Sequence, residues 1–125
     1  MQDLANRLAK SAEPNAYIHV IEAHDGQGGV LLPVDEVWWF EVEGKNYKAF
    51  TQGKTYDIRL TLAELEQSLN PDAFFRVNRS CIVHLKFIKN YSFWENDKYI
   101  LRMADEKTEF VMQRARLKLL KSKLS

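Results

Sequence analysis

One stretch of the chain, from Phe74 to Tyr91, mixes apolar and basic residues in a way that restricts where it can lie in a fold. It reads FFRVNRSCIVHLKFIKNY, and its apolar residues are frequent enough to anchor it in a core. It also carries Arg76, Arg79, Lys86 and Lys89 and has no acidic residue. Such a stretch fits either a core strand with a solvated basic flank or an anchored segment that contacts anions.

Around this stretch, short apolar runs alternate with turn residues, which is typical of a mostly β fold built from antiparallel hairpins. The predicted strands are 17–24, 30–32, 34–40, 47–50, 56–60, 74–77, 87–94, 99–103 and 108–112. The segments between many of them are rich in Gly, Asn and acidic residues, which favour turns. Within the stretch itself, residues 78–80 predict a turn, and Ser80 is expected to cap a short helical turn through Leu85.

Two helices are also predicted. The first begins at Thr61, which with Glu64 fits a capping box, and three leucines follow it at helical spacing. The second is the C-terminal sequence QRARLKLLKSKL, in which Leu117, Leu120 and Leu124 fall on one face. The lysines of its last turn suit the helix dipole, so they are not counted as functional residues.

The length of 125 residues, with 46% apolar residues, fits one domain with an ordinary core. Residues 1–15 are expected to be a linker from a preceding domain or a simple tail, and residues 16–125 form the predicted domain. The sequence has no long uncharged apolar run and no signal pattern at its N-terminus. No membrane span is therefore expected, and the cytoplasm is the default location.

The Cys and His residues indicate neither a disulfide nor a metal site. Cys81 is the only cysteine, which excludes an internal disulfide and fits a reducing compartment. Its apolar neighbours favour a buried, inert thiol over a redox sensor. His19 and His24 share a predicted strand, but no further side chain completes a convincing ligand set. We therefore expect no metal ion and no cofactor.

The sequence also lacks the motifs of common enzymes. It contains no glycine-rich phosphate loop, no GxSxG and no HExxH. A hydrolytic triad of Ser80, His84 and Asp72 can be imagined, but their spacing does not demand it. We therefore expect a protein that is not an enzyme.

Charge is distributed unevenly along a chain whose net charge is only +1. Four acidic residues lie between positions 35 and 43, whereas the segment 112–125 carries five Lys or Arg and no acid. Segregation of this kind lets a nearly neutral chain present one basic face. The overall charge therefore does not argue against nucleic acid as a partner.

Three clusters of basic and amide side chains are candidates for contact with DNA. Cations neutralise phosphates, while Arg suits the edge of guanine and Asn that of adenine. The candidates are Lys45, Asn46, Tyr47 and Lys48 in a hairpin, Arg76, Asn78 and Arg79 at a strand end, and Arg114 and Arg116 where the last strand meets the last helix. The sequence shows no helix-turn-helix pattern, so base readout would come from loops.

The segment FFRVNRSCIVHLKFI resembles the hallmark of LytTR-type DNA-binding domains of the LytR/AlgR family, which is roughly F-x-R-V-H-R-S-x-x-V-N followed by an apolar residue. It keeps Phe74 or Phe75, Arg76, Val77, Arg79, Ser80 and Val83. It departs from the hallmark at Asn78, where His is common, and at His84, where Asn is common. The resemblance covers about residues 16–124, nearly the whole chain.

This resemblance implies a mostly β fold of elongated antiparallel β-sheets, with a short amphipathic helix in mid-chain and a C-terminal helix. It also implies that loops enter successive major grooves of double-stranded DNA. Carried over position by position, these loops fall near Lys45 to Lys48, at Asn78 and Arg79, and around Arg114 to Arg116. The third loop reads QRAR where the family often has a Ser-Arg-Arg-like sequence, so an arginine is retained.

The resemblance further implies a bacterial transcription regulator, usually the output domain of a two-component response regulator. If the chain is a fragment, an upstream receiver domain precedes it, with residues 1–15 as linker; otherwise it is a stand-alone regulator. Relatives bind repeated sites as dimers, so a homodimer on DNA is expected. The alternative function is a β-rich protein-interaction module whose basic loops contact an acidic partner.

Overall fold

The computed structural model describes residues 16–124, which form two antiparallel sheets and two α-helices. The predicted linker 1–15 lies outside the described residues. One helix is short and lies in mid-chain, and the other closes the described part of the chain. The prediction of a mostly β fold with these two helices is confirmed.

The larger sheet has seven strands in the part of the chain described. They are β1 Val20–His24, β2 Gly29–Pro33, β3 Val37–Glu43, β4 Asn46–Thr51, β5 Lys54–Ile58, β6 Phe74–Asn78 and β7 Cys81–His84. Their spatial order is β2-β1-β5-β4-β3-β7-β6. The β3–β4 hairpin turns at Gly44, whose φ of 63° is a left-handed conformation that glycine adopts without steric cost.

The smaller sheet has three strands, which are β8 Ile88–Glu95, β9 Lys98–Met103 and β10 Glu109–Gln113. They lie in the order β10-β9-β8, so β8 pairs with β9 alone and forms an edge of the sheet as described. Helix α2, Arg114–Leu124, follows β10 without a connecting loop. The end of β10 and the start of α2 therefore occupy one place in the fold.

Helix α1, Leu62–Ser68, begins with the predicted capping box. The Thr61 hydroxyl accepts a hydrogen bond from the Glu64 N–H at 3.1 Å, and the Glu64 carboxylate accepts one from the Thr61 N–H at 2.9 Å. Two amides at the helix start that have no helical partner are thereby satisfied. Leu62 and Leu65 are buried, so α1 packs over the larger sheet as predicted.

The central strands of the larger sheet are buried on both faces. Along β3, Phe40 enters one hydrophobic core with α1, whereas its neighbour Trp39 enters a second core with the smaller sheet and α2. Along β7, Ile82 joins the first core, and Cys81 and Val83 join the second. Alternating side chains of one strand thus join two cores. Burial also raises the pKa of the Cys81 thiol, as expected of an inert cysteine.

The helical turn predicted after Ser80 is wrong. Cys81–His84 is a strand, and the helical turn comes later, as a short 3₁₀ segment at Leu85–Phe87. Its cap is the side chain of His84, whose Nδ1 accepts a hydrogen bond from the Lys86 N–H at 3.3 Å. A short apolar run that is buried on both faces lacks the periodicity that separates strand from helix, which explains the error.

Three strands and one helix face also differ from the prediction. The strand predicted at 56–60 is β5, Lys54–Ile58. The first strand begins at Val20 and not at residue 17, and β3 begins at Val37 because residues 34–36 form a 3₁₀ turn. On α2, Leu117 and Leu120 are buried, but Leu124 is 53% exposed because it lies in the last turn, beyond the second core. Apart from residues 34–36 and 81–84, the element types agree with the prediction.

His84 is the one polar residue that is buried within the described part of the chain. Its ring lies between Phe74 and Phe87, at centroid distances of 4.4 and 5.3 Å. Its Nε2 has no hydrogen-bond partner, and the nearest carboxylate, of Asp35, is 3.8 Å away. Burial lowers the pKa of His84, and the charge of Lys86 lowers it further. The folded protein therefore disfavours the protonated imidazole.

This arrangement predicts that part of the stability is lost in mild acid. A lowered pKa in the folded state means that the unfolded chain binds the proton first, so stability is full above the ordinary histidine value of 6.5 and falls as the pH drops below it. In His84→Asn, the amide oxygen can still accept the Lys86 N–H bond but does not titrate. Urea denaturation between about pH 5 and 7.5 should therefore show a shallower decline for the variant.

The exposed His19 and the half-buried His24 are present in both proteins and serve as the internal control. A decline of equal slope in the wild type and in His84→Asn would show that His84 is not the group responsible.

Candidate nucleic-acid interface

Turns of the larger sheet meet at one end of the molecule. The β3–β4 turn, at residues 44–45, lies beside the β6–β7 turn, at residues 79–80, because β3 and β7 are paired neighbours. The N–H of Val42, near the end of β3, donates to the carbonyl of Ser80 at 3.0 Å, which joins β3 to the β6–β7 turn. Two of the three predicted clusters are therefore adjacent.

The smaller sheet adds two further segments to the same end. The β8–β9 turn, at residues 96–97, contacts the start of α2, since the Arg114 N–H donates to the carbonyl of Asp97 at 2.8 Å. The Asn78 side chain donates to the carbonyl of Val111 at 2.8 Å and so joins this sheet to the β6–β7 turn. We call residues 44–45, 79–80, 96–97 and 113–114 together the basic end.

Arg76 supports the β6–β7 turn from inside. Its guanidinium donates to the carbonyls of Asn78 and Arg79, at 2.8 and 2.9 Å, and forms an ion pair with Glu66 at 2.9 Å. Only 22% of its side chain is exposed. Three groups thus hold one guanidinium, whose role in the free protein is to fix the conformation of the turn.

Asn78 also holds the turn with both ends of its side-chain amide. The amide oxygen accepts a hydrogen bond from the Ser80 N–H at 2.7 Å, and the amide nitrogen donates to Val111. An adenine edge requires the same donor and acceptor from an asparagine. Asn78 can read a base in that way only by giving up both contacts.

Arg116 ties α2 to the larger sheet. Its Nε donates to the carbonyl of Arg76 at 3.1 Å, its Nη2 donates to the same oxygen, and its guanidinium lies 4.8 Å from the ring centre of Phe75. These contacts place Arg116 between the helix and β6, partly buried. Of the predicted arginines, Arg76 and Arg116 therefore stabilise the site from within.

Two arginines point outward from the same framework. Arg79 is exposed, and its side chain makes no hydrogen bond or ion pair with residues 16–124. The side chain of Arg114 is 54% exposed and lies 3.6 Å from the Asp97 carboxylate, too far for a hydrogen bond. Both guanidinium groups can therefore reach a ligand without breaking the fold.

The predicted cluster at residues 45–48 also contains both exposed side chains and side chains held by other residues. Lys45 and Asn46 are exposed at the hairpin, whereas Tyr47 packs against the first core. Lys48 forms an ion pair with Asp57 at 2.9 Å, and this hydrogen bond together with the carboxylate charge raises the pKa of its ammonium group. Lys45 and Asn46 are thus the members available to a ligand without exchange of partners.

Two polar residues at this end were missed from the sequence. Arg59 follows β5 and shares a shallow concavity with the Lys45–Lys48 hairpin. Gln113 ends β10 and lines an open cleft of about 570 Å³ together with Arg79. Gln113 lies just beyond the predicted strand 108–112, and that position was the available signal, whereas Arg59 lies within the predicted strand 56–60, which ends at Ile58 in the structure.

Among residues 16–124 there is no group of three or more His, Cys, Asp or Glu side chains that could hold a metal ion. In the same part of the chain, no helix has the length and apolar character needed to cross a membrane.

The different contacts of the two α2 arginines predict different effects on stability. Arg116→Ala removes two hydrogen bonds to the Arg76 carbonyl and the cation–π contact with Phe75. The free energy of unfolding should therefore fall by about 1–3 kcal/mol. Arg114→Ala removes one exposed ion pair and should change stability by about 0.5 kcal/mol or less. Urea denaturation of both variants measures the contrast.

Equal destabilisation by the two substitutions would mean that Arg116 does not have the supporting role that its contacts indicate. Arg116→Lys should lose an intermediate amount of stability, because a single ammonium keeps the charge but cannot reproduce the fork geometry of the guanidinium.

Comparison with known proteins places this arrangement in a family. The profile of the LytTr DNA-binding domain matches residues 28–125. A solved LytTr DNA-binding domain from Bacillus cereus has the same fold, with a TM-score of 0.77, 21% identity and coverage of 86% of this chain and 98% of that one.

Two curated relatives are regulators that are longer than this chain. The transcriptional regulatory protein YpdB of Escherichia coli K12 is 29% identical over 89 residues, which are 71% of this chain and 36% of that protein. The sensory transduction protein LytT of Bacillus subtilis is 28% identical over 102 residues, which are 80% and 42%. The chain thus spans well under half of these relatives.

The family match covers most of the chain, including every segment of the basic end. It agrees with the fold and confirms the resemblance seen in the segment FFRVNRSCIVHLKFI. It also confirms that the chain is a DNA-binding protein and not an enzyme. The chain belongs to the LytTr DNA-binding domain family.

Proposed function

We propose that the chain is the sequence-reading output domain of a two-component response regulator and that its basic end enters successive major grooves of duplex DNA. The observation that carries this proposal is the division of the arginines. Arg76 and Arg116 hold the framework from within, while Arg79 and Arg114 project from it into solvent. An interface that reads bases requires such preorganised donors.

Arg79 is the best placed base-reading residue. Its carbonyl accepts a hydrogen bond from Arg76 at 2.9 Å, so the backbone of the turn is fixed, while the side chain has no partner in the described part of the chain. A free guanidinium on a rigid turn can donate both of its parallel N–H bonds to the O6 and N7 atoms of guanine. Asn78, whose amide is engaged, acts as a positioning residue in this proposal.

Arg114 and Lys45 extend the contact on either side of Arg79. Arg114 begins α2 beside the β8–β9 turn, and Lys45 lies at the tip of the β3–β4 hairpin. Asn46 is exposed beside Lys45 and can contribute amide contacts. Three neighbouring segments that carry exposed cationic side chains suit successive groove and phosphate contacts along one duplex.

Lys48, Arg59 and Gln113 complete the proposed contact surface. Lys48 is held by Asp57, and it suits a phosphate contact in which DNA replaces the carboxylate. Arg59 and Gln113 occupy the flanks of the basic end. Tyr47 packs mainly against the core, so its contribution is to hold the hairpin in place.

The regulatory context rests on the relatives. One is described as a sensory transduction protein and another as a transcriptional regulatory protein, and both are longer than this chain. We infer that the chain acts in the cytoplasm with an upstream receiver domain, to which residues 1–15 are the linker, and that two copies occupy repeated DNA sites. A β-rich protein-interaction module remains the alternative that the first experiment below tests.

The first prediction concerns sequence selectivity. Selection from randomised duplexes at near-physiological salt should enrich a repeated site. Arg79→Ala and Arg114→Ala should each weaken binding to that site by about 1–3 kcal/mol, with smaller effects on random DNA. Fluorescence anisotropy measures both affinities.

Lys107→Ala is the matched control, since Lys107 is exposed in the β9–β10 turn at the opposite end of the smaller sheet. Absence of any enriched site would favour the interaction module. An enriched site whose affinity is unchanged in both arginine variants would refute the assignment of these residues.

The second prediction concerns the carboxylate that lies beside Arg114. Asp97→Asn removes a negative charge from the basic end, where phosphates should approach. Affinity for duplex DNA should rise by about 0.5–1 kcal/mol, or roughly two- to fivefold, and the gain should shrink at high salt.

Glu106→Gln is the control for this experiment. Glu106 forms an ion pair with Lys89 at 2.7 Å, but it lies at the opposite end of the smaller sheet. Its neutralisation changes the net charge by the same amount as Asp97→Asn. An equal gain in DNA affinity in both variants would show that the effect comes from net charge alone, and it would contradict the proposed position of DNA.

A further inference from the structure

An exposed aromatic ring and a cation lie together at the border of the basic end. Trp94, near the end of β8, is 49% exposed, and the Lys98 ammonium, at the start of β9, lies 5.8 Å from its ring centre. The two residues flank the β8–β9 turn, which belongs to the basic end. We call Trp94 and Lys98 together the outer patch.

Strand pairing shows which face of the smaller sheet carries the outer patch. Met112 is buried in the second core, whereas its neighbour Gln113 is exposed. Gln113 is the register partner of Lys98, and partners across antiparallel strands project to the same side of a sheet. Lys98, with Trp94 beside it, therefore lies on the face that points away from the second core.

The outer patch is continuous with the residues proposed to contact DNA. Gln113, beside Lys98, lines the same open cleft as Arg79. The turn between Trp94 and Lys98 is joined to Arg114 by the hydrogen bond from the Arg114 N–H to the Asp97 carbonyl, at 2.8 Å. A major groove is about 12 Å wide, so the backbone that borders a groove entered by Arg114 can reach this patch.

The Lys98 ammonium can bind an anion without giving up another partner. With the residues of the described part of the chain it makes no hydrogen bond or ion pair, although Glu95 is its register partner across the hairpin. The ammonium lies over the Trp94 ring instead, and its N–H groups remain available to a ligand. In this respect Lys98 resembles Arg79 and differs from Arg114, which lies beside a carboxylate.

The Trp94 ring supplies the apolar half of the same contact. A cation directly beside an exposed aromatic ring is typical of surfaces that bind nucleic acids. Along a DNA strand, deoxyribose rings with apolar C–H surface alternate with charged phosphates. An indole next to an ammonium therefore matches one sugar and its neighbouring phosphate.

We propose that the outer patch binds the sugar–phosphate backbone of duplex DNA beside the groove that Arg114 enters. The Trp94 indole packs on a deoxyribose, and the Lys98 ammonium donates to an adjacent phosphate. This contact rests on the proposed function, since it requires DNA at the basic end. Backbone contacts carry no direct sequence information, so the patch adds affinity without adding base preference.

Quenching of tryptophan fluorescence by acrylamide tests the contact directly. Trp39 is buried and Trp38 is stacked on Phe87, so Trp94 is the tryptophan most open to the quencher. Bound duplex should reduce quenching in the wild type, and Trp94→Phe should lose this reduction. Unchanged quenching of the wild type in the complex, or an equal reduction in Trp94→Phe, would overturn the proposal.

Binding affinities measured by fluorescence anisotropy give a second test. Trp94→Ala should weaken binding about three- to tenfold, by the same factor on a selected site and on random duplexes. Lys98→Ala should also weaken binding to both, and it should lower the slope of log affinity against log salt by about 1. Circular dichroism verifies that each variant is folded.

Phe93→Ala is the matched control for Trp94→Ala. Phe93 is 59% exposed and adjacent in the chain, but its ring contacts Tyr99 edge-on at 5.6 Å. Tyr99 is the register partner of the buried Met112, so Phe93 lies on the opposite face of the sheet. Affinity for DNA should be unchanged in Phe93→Ala, and an equal loss in the two alanine variants would contradict the proposed contact.

The same experiments separate this contact from the proposed function. A selected site that requires Arg79 but leaves Trp94 open to acrylamide would reject the outer patch alone. Protection of Trp94 by random duplexes, without any enriched site, would support the patch and reject sequence reading. Absence of binding to any duplex would reject both.

Discussion

The carbonyl oxygen of Arg76 is the acceptor on which the arrangement of the basic end depends. The Arg116 guanidinium, from α2, donates two N–H bonds to it, while the guanidinium of Arg76 itself donates to the carbonyls of Asn78 and Arg79. Carbonyls at a strand end and a turn need donors, and one arginine fork supplies several at once. Helix, strand and turn thereby become one unit, which fixes where Arg79 and Arg114 can project.

Most of the fold could be predicted because its local signals agree with its tertiary structure. Glycine at a left-handed position set the β3–β4 turn, and the Thr61–Glu64 pair marked the start of α1. The failure after Ser80 has a physical cause. The run 81–83 is buried on both faces, so it shows no period, and the cap residue proved to be a histidine, a type that capping preferences do not indicate.

The candidate site could be predicted only as far as its location. The sequence indicated three clusters, and the fold gathers their turns at one end, but residue type alone does not show whether an arginine faces inward. Arg114 and Arg116 stand two positions apart, and only the docking of α2 against β6 turns Arg116 toward a carbonyl. Arg59 and Gln113 were missed for the same reason, since strand pairing at long range decides which element ends become neighbours.

A net charge of +1 also limits how this domain can discriminate among DNA sequences. Carboxylates already accompany two cations of the site, as Asp57 does Lys48 and Asp97 does Arg114. A phosphate that displaces an exposed carboxylate exchanges one weak ion pair for another, so the net gain is small. If the proposed interface binds DNA, its affinity for DNA in general should be modest, and the energy that separates a target from other sequences has to come from base contacts. In the proposed interface, Arg79, whose side chain has no partner among residues 16–124, is the residue best placed to supply it.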